Sequence, residues 1–185
     1  MVGSRDYFDK EVDGNYNVAT AKRQPGSSFK PFVYAAAFNL GYRPETVLFD
    51  LPIQFSTNCA MNNYTSDNGC YSPGNYDGKF RGPISIRNSL AQSINVPAVE
   101  TLYLVGVDNA IDLATKMGIS TLTDKSRYGL SLVLGGGEVT LLDMTSAYGN
   151  FATNGVRHEP SGILKIEDKT GKTLEEYEDK NEEVL

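Results

Sequence analysis

Arg23-Gln24-Pro25-Gly26-Ser27-Ser28-Phe29-Lys30-Pro31-Phe32-Val33-Tyr34-Ala35-Ala36-Ala37-Phe38-Asn39-Leu40-Gly41 joins a polar loop to the most apolar helical stretch of the chain. Phe32, Val33, Ala35, Ala36, Ala37 and Leu40 predict a buried helix within residues 27–40, closed by Gly41 at the first position beyond its end. Pro31 fits the first turn, where few N–H groups have an intrahelical partner. Ser27 and Lys30 stand three residues apart, so a helix carries both on one face and Lys30 Nζ can reach Ser27 Oγ. A serine attacks a carbonyl only with a base beside it, and a lysine serves if burial lowers its pKa. The helix N-terminus favours negative charge developing on a substrate oxygen. The letters S-x-x-K alone weigh little. With 14 serines and 10 lysines in 185 residues, about 0.8 chance matches are expected, and the plain alternative is a serine N-cap followed by an exposed lysine.

Working outward, Val2 reads as the tail of a strand, and Asp6 to Gln24 is polar, with a turn at Asp13-Gly14. Asn58 to Gly82 is loop-like, dense in Asn, Gly, Ser, Asp and Tyr. Short helices are expected at 85–93 and from Pro97 to Leu104. Val107, Ile111, Ala114 and Met117 recur at helical spacing, with Gly118 as the stop. Tyr128 to Glu138 is an apolar-then-glycine loop, and Thr140 caps a helix that runs to about Asn154-Gly155. The chain ends in a hairpin, Ile163 to Ile166 and Leu174 to Tyr177, turned at Lys169-Thr170-Gly171. The acidic residues after it form a solvated face. Composition suits one globular domain with a core: 40% hydrophobic, 22% charged and a net charge of −6. That charge argues against binding a nucleic-acid backbone. Two cysteines and one histidine cannot fill a four-ligand zinc site, so neither metal nor cofactor is expected. No apolar stretch approaches the roughly 20 residues of a membrane span.

S-x-x-K, S-D-N and K-T-G together are the signature of penicillin-binding proteins and class A β-lactamases. Three S-x-N matches occur. Ser66-Asp67-Asn68 is the literal S-D-N, yet it lies in the polar loop between the cysteines, where nothing would hold two side chains against a serine. Ser56-Thr57-Asn58 enters the same loop. Ser93-Ile94-Asn95 instead links two helices, and a short link between packed helices can fix both polar side chains on one wall of a cleft. Ser93 and Asn95 are therefore the expected pair. Lys169-Thr170-Gly171 is K-T-G by letter, but its charged neighbours describe a hairpin turn, whereas a functional K-T-G needs a strand with small neighbours against the substrate.

Residues 23–32 and Leu90-Ala91-Gln92-Ser93-Ile94-Asn95-Val96-Pro97-Ala98-Val99 resemble the first two active-site segments of class A, bifunctional penicillin-binding proteins. Gly135-Gly136-Gly137-Glu138-Val139-Thr140 and Ala147 to Val156 are similar to further blocks, in family order over nearly the whole chain. The resemblance implies an α+β fold of the penicillin-binding protein and β-lactamase type, mostly helical here, with short strands and the terminal hairpin. It implies a D,D-transpeptidase that crosslinks peptidoglycan stem peptides ending in D-Ala-D-Ala and is acylated by β-lactams. Ser27 would be the nucleophile, Lys30 its base, Ser93 the proton donor to the leaving D-Ala, and Asn95 a holder of the donor peptide. Residues 1–185 are expected to be a partial transpeptidase domain, truncated at both ends and lacking the functional K-T-G strand, hence inactive or weakly active as a transpeptidase alone. The parent would work outside the cytoplasmic membrane, anchored through parts this chain lacks. In that location Cys59 and Cys70 would form a local disulfide contributing about 2–3 kcal/mol; the residues themselves leave two free thiols equally open. His158 is expected at the surface, without a triad role. A β-lactamase-type hydrolase lacks an identifiable deacylating Glu, since Glu138 reads as a helix entry. A non-catalytic helical module that binds a peptide or partner is the alternative from another class.

Overall fold

The computed structural model describes residues 3–185, so the strand expected around Val2 lies outside the described residues. In chain order the elements are β1 (Lys22–Arg23), α1 (Lys30–Asn39), β2 (Val47–Asp50), β3 (Gly82–Ser85), α2 (Ile86–Ala91), α3 (Asn95–Val105), α4 (Val107–Lys116), β4 (Val139–Thr140), α5 (Leu141–Ala152), β5 (Val156–His158), β6 (Lys165–Glu167), β7 (Thr173–Glu176) and β8 (Asn181–Glu183). Three-residue-per-turn helices occupy Gly26–Phe29, Lys125–Arg127 and Leu130–Leu134. The strands pair antiparallel in four two-stranded sheets: β1 with β4, β2 with β3, β5 with β8, and β6 with β7. The chain divides into two compact units: residues 24–113 with 122–138, and residues 3–23 with 114–121 and 139–185.

In the first unit α1 is buried on nearly every side, from Lys30 and Phe32 through Ala37. A helix apolar all round must sit inside its domain. Its end follows the glycine rule: Gly41 has φ +91°, its N–H donates to Phe38 O, and the Tyr42 N–H reaches back to Ala37 O. These are the two bonds of a Schellman closure. Phe29, Phe32, Val33, Tyr34, Val96, Val99 and Leu102 supply the core, and Tyr34 OH shares a buried hydrogen bond of 2.7 Å with Ser89 Oγ. The β2–β3 ribbon was not legible as strands. Its register sets Val47 opposite Ser85 and Asp50 opposite Gly82, with burial alternating along β2. The loop it encloses is clipped by a Cys59–Cys70 disulfide, which resolves the open choice for those thiols.

In the second unit α5 opens as expected, with Thr140 Oγ1 accepting from Asp143 N at 3.0 Å. Asn150 donates from inside α5 to Met117 O at 2.7 Å, tying the buried Met117 and Ile119 to that helix. The terminal hairpin is β6 and β7. The acidic exit does more than solvate: β8 takes up Asn181 to Glu183 and pairs with β5. His158 is exposed, and its Nδ1 contacts Asp179 Oδ2 at 2.8 Å.

Candidate active site

Gly26–Phe29 forms a tight turn before α1, and within it Ser27 is exposed while Lys30, the first residue of α1, is only 1% exposed. Gly26 enters the turn at φ +60°, and the backbone of Gly135 (φ +90°) presses against it. A Cβ on Gly135 would stand 2.2 Å from Gly26 N, so only glycine permits this contact. Gly135 thus supports the turn that presents Ser27.

Lys30 Nζ donates three hydrogen bonds: to Ser93 O at 2.7 Å, to Ser93 Oγ at 3.2 Å and to Asn95 Oδ1 at 2.8 Å. An ammonium has three N–H groups, and all are accounted for. The direct Lys30–Ser27 contact is not among these bonds: no hydrogen bond joins Lys30 Nζ to Ser27 Oγ, and the N–H groups of the charged lysine are taken up by Ser93 and Asn95. Burial lowers the Lys30 pKa from its ordinary value to about 8. At pH 7 about a tenth of such lysines are neutral, against about three in ten thousand for a solvated one. The cluster therefore holds a lysine ready to act as a base once it sheds one proton.

Ser93 occupies an unusual backbone position. It follows α2, with φ +53°. Its N–H donates to Leu90 O and the Ile94 N–H to Ser89 O, the same closure that Gly41 makes after α1. The left-handed residue of that motif is normally glycine. A serine there carries backbone strain of about 1 kcal/mol, and what it gains is an Oγ against Lys30. Asn95 opens α3, its Oδ1 facing Lys30 and its Nδ2 donating to Gly74 O at 3.1 Å. Its backbone N–H donates to Asn75 Oδ1, and Asn75 Nδ2 in turn donates to the buried Asp50 Oδ1.

Asp50, Gly74 and Asn75 carry no signal in the sequence. Asn75 is one of 14 asparagines, in a loop rich in them, and only its partners distinguish it. The rejected tripeptide lies elsewhere. Ser66 Oγ donates to Ser72 O and accepts from Ser72 N, and Thr65 bonds Asp67. Lys169-Thr170-Gly171 is an exposed turn wound round Asp168, which accepts from Thr170 N, Thr170 Oγ1 and Lys172 N. Among the described residues no group of His, Cys, Asp and Glu could hold a metal ion. A cavity of about 540 Å³ is lined by Phe55, Glu100 and Tyr103 among others; none of the Lys30 cluster borders it.

The structure thus carries an exposed serine on a tight turn, a buried lysine three residues on and an S-x-N pair bonded to that lysine. The sequence pattern of the family described as "Penicillin binding protein transpeptidase domain" matches residues 1–184. The chain belongs to that family. It is 36% identical over 179 residues to penicillin-binding protein 1A of Rickettsia bellii, across 97% of this chain and 21% of the relative. The crystal structure of penicillin-binding protein 1A from Haemophilus influenzae superposes with a TM-score of 0.76 at 32% identity, covering 91% of this chain and 24% of that one. The PonA1 protein from Mycobacterium tuberculosis in complex with penicillin V gives a TM-score of 0.73 at 25% identity, over 87% of this chain and 43% of that one. The α+β arrangement is that of penicillin-binding protein transpeptidase domains, and the relatives' names agree with the class A resemblance. The chain spans about a fifth of the length of the curated relatives it matches. No helix among the described residues is long and apolar enough to cross a membrane.

Proposed function

We propose that this chain carries the nucleophile and base of a D,D-transpeptidase that crosslinks peptidoglycan stem peptides outside the cytoplasmic membrane. Neutral Lys30 takes the Ser27 proton as Ser27 Oγ attacks the carbonyl of the penultimate D-Ala. The terminal D-Ala leaves as an amine, protonated through Ser93 Oγ, which Lys30 reprotonates. An amine of a second stem peptide then attacks the acyl-serine; its proton passes through the Lys30–Ser93 pair to Ser27 Oγ, which leaves as the free hydroxyl as the crosslink forms. Asn95 holds the donor peptide and also keeps Lys30 aligned through its Oδ1. A β-lactam presents an amide carbonyl to the same serine and leaves it acylated; the structurally similar PonA1 protein has a solved structure in complex with penicillin V. The Ser27 N–H is one oxyanion donor.

The observation that supports this reading most is the buried Lys30, saturated by Ser93 and Asn95 beside an exposed serine. A lysine kept partly neutral at the cost of its hydration is what a general base requires, and this favours chemistry over a binding module. The test is mass spectrometry of the intact protein after incubation with penicillin. A mass gain of one penicillin on the peptide containing Ser27 is the expected result; modification of another residue, or none, removes the assignment.

A further inference from the structure

We propose that Asn75 is a positioning residue for Lys30, acting through the N-terminus of α3. Helix α3 receives no side-chain cap from Ile94, the residue before it. The N–H groups of Asn95 and Val96 donate instead to Asn75 Oδ1, each at 3.1 Å, from twenty residues upstream. Those first-turn donors are the ones a helix cannot satisfy internally. Asn75 Nδ2 donates to Asp50 Oδ1 at 2.6 Å and to Lys79 O at 2.7 Å. Both acceptor sites and both N–H groups of the amide are thereby used, in one orientation only. Flipped, the amide would set its NH₂ against two N–H donors and its oxygen against a carboxylate.

The anchor is firm. Asp50 is 0% exposed and also accepts from Arg81 N at 2.9 Å and Arg81 Nη1 at 3.4 Å. An aspartate in place of Asn75 would lose both donors and face Asp50 with like charge; an alanine would lose the cap as well. Gly74, next in sequence, accepts from Asn95 Nδ2, so Asn95 Oδ1 is left facing Lys30. Residues 74 and 75 together fix Asn95 at its backbone and its side chain, and through it one of the three acceptors of Lys30. Loss of Asn75 frees the first turn of α3 and draws Asn95 Oδ1 from the ammonium. An acceptor bonded to the charged form favours that form, so its removal makes Lys30 easier to deprotonate while spoiling its alignment.

The experiment tracks the ¹³Cε resonance of Lys30 through a pH titration of the intact protein, wild type and Asn75→Ala, at a temperature where circular dichroism shows both folded. Penicillin acylation rates are measured on the same samples, and only this arm rests on the transpeptidase reading. In Asn75→Ala the Lys30 midpoint is expected to fall by at least half a pH unit, with acylation slowed about 10–100-fold. If Asn75→Ala does not fold, Asn75→Ser, which keeps one acceptor for α3, should move both quantities in the same direction by less. An unchanged Lys30 midpoint in the folded variant overturns the proposal. A shifted midpoint in a protein whose wild type is never acylated supports the positioning role and sinks the transpeptidase reading instead.

Discussion

Ser93-Ile94-Asn95 and Ser66-Asp67-Asn68 are nearly the same tripeptide, and each contains one residue in the left-handed region, Ser93 at φ +53° and Asn68 at φ +49°. In the first, both polar side chains meet Lys30. In the second, the serine is spent on the backbone of Ser72 and the tripeptide stays exposed inside the disulfide-clipped loop. The difference lies in the stretch of chain just after each strained residue. After Ser93 comes a buried helix whose first turn is capped and whose origin is therefore fixed. After Asn68 come Gly69 and Cys70, then a backbone bonded to its own loop. The lesson is that a serine and an asparagine two positions apart become a site only where a rigid element holds both against a third group.

The comparison breaks most sharply at Ser27, the proposed nucleophile. Ser27→Ala should reduce penicillin acylation by more than about 10⁴-fold, since no remaining hydroxyl stands where Ser27 does. Acylation that survives in this variant would place the nucleophile elsewhere, and the preference for Ser93 over Ser66 would lose its reference point.

Ser93→Gly sharpens the contrast next. Acylation should fall about 10²-fold, the usual size of a proton-transfer contribution. Relief of the left-handed strain is worth about 1 kcal/mol and roughly offsets the lost hydrogen bond, so the Tm should stay within about 3 °C of wild type. Ser66→Gly should leave the acylation rate unchanged within about twofold. Equal kinetic effects in the two variants would erase the distinction.

The pH profile reads the same cluster with a smaller effect. With the Lys30 pKa near 8, acylation should rise about tenfold per pH unit below 8 and level off above it. The folded value lies below that of an unfolded lysine, so the unfolded chain binds more protons between about pH 8 and the ordinary lysine value. Lys30 therefore adds stability as pH rises through that window, while its burial cost is fully present below 8. A flat rate profile from pH 6 to 9 would remove Lys30 as the base. Smallest for catalysis is the loop itself: Cys59→Ser with Cys70→Ser should cost about 2–3 kcal/mol of stability and change acylation less than twofold.

The residues alone determined a good deal. The apolar run after Ser27, Gly41 at its end and Thr140 before α5 are local signals, because a helix stop and a cap are settled by a few neighbouring backbone bonds. The family blocks were legible for the same reason: they are contiguous strings. The choice of Ser93 over Ser66 rested on helix ends that also lie close in sequence. Tertiary structure alone decided that Lys30 bonds Ser93 and Asn95 rather than Ser27, that β2 and β3 pair across the long loop, and that Asp50 and Asn75 hold the start of α3. Each of these joins groups 20 to 65 residues apart, and no periodicity or local motif encodes which distant acceptor will complete a buried donor. That is settled when the helices pack and every polar group shut away from water must find a partner.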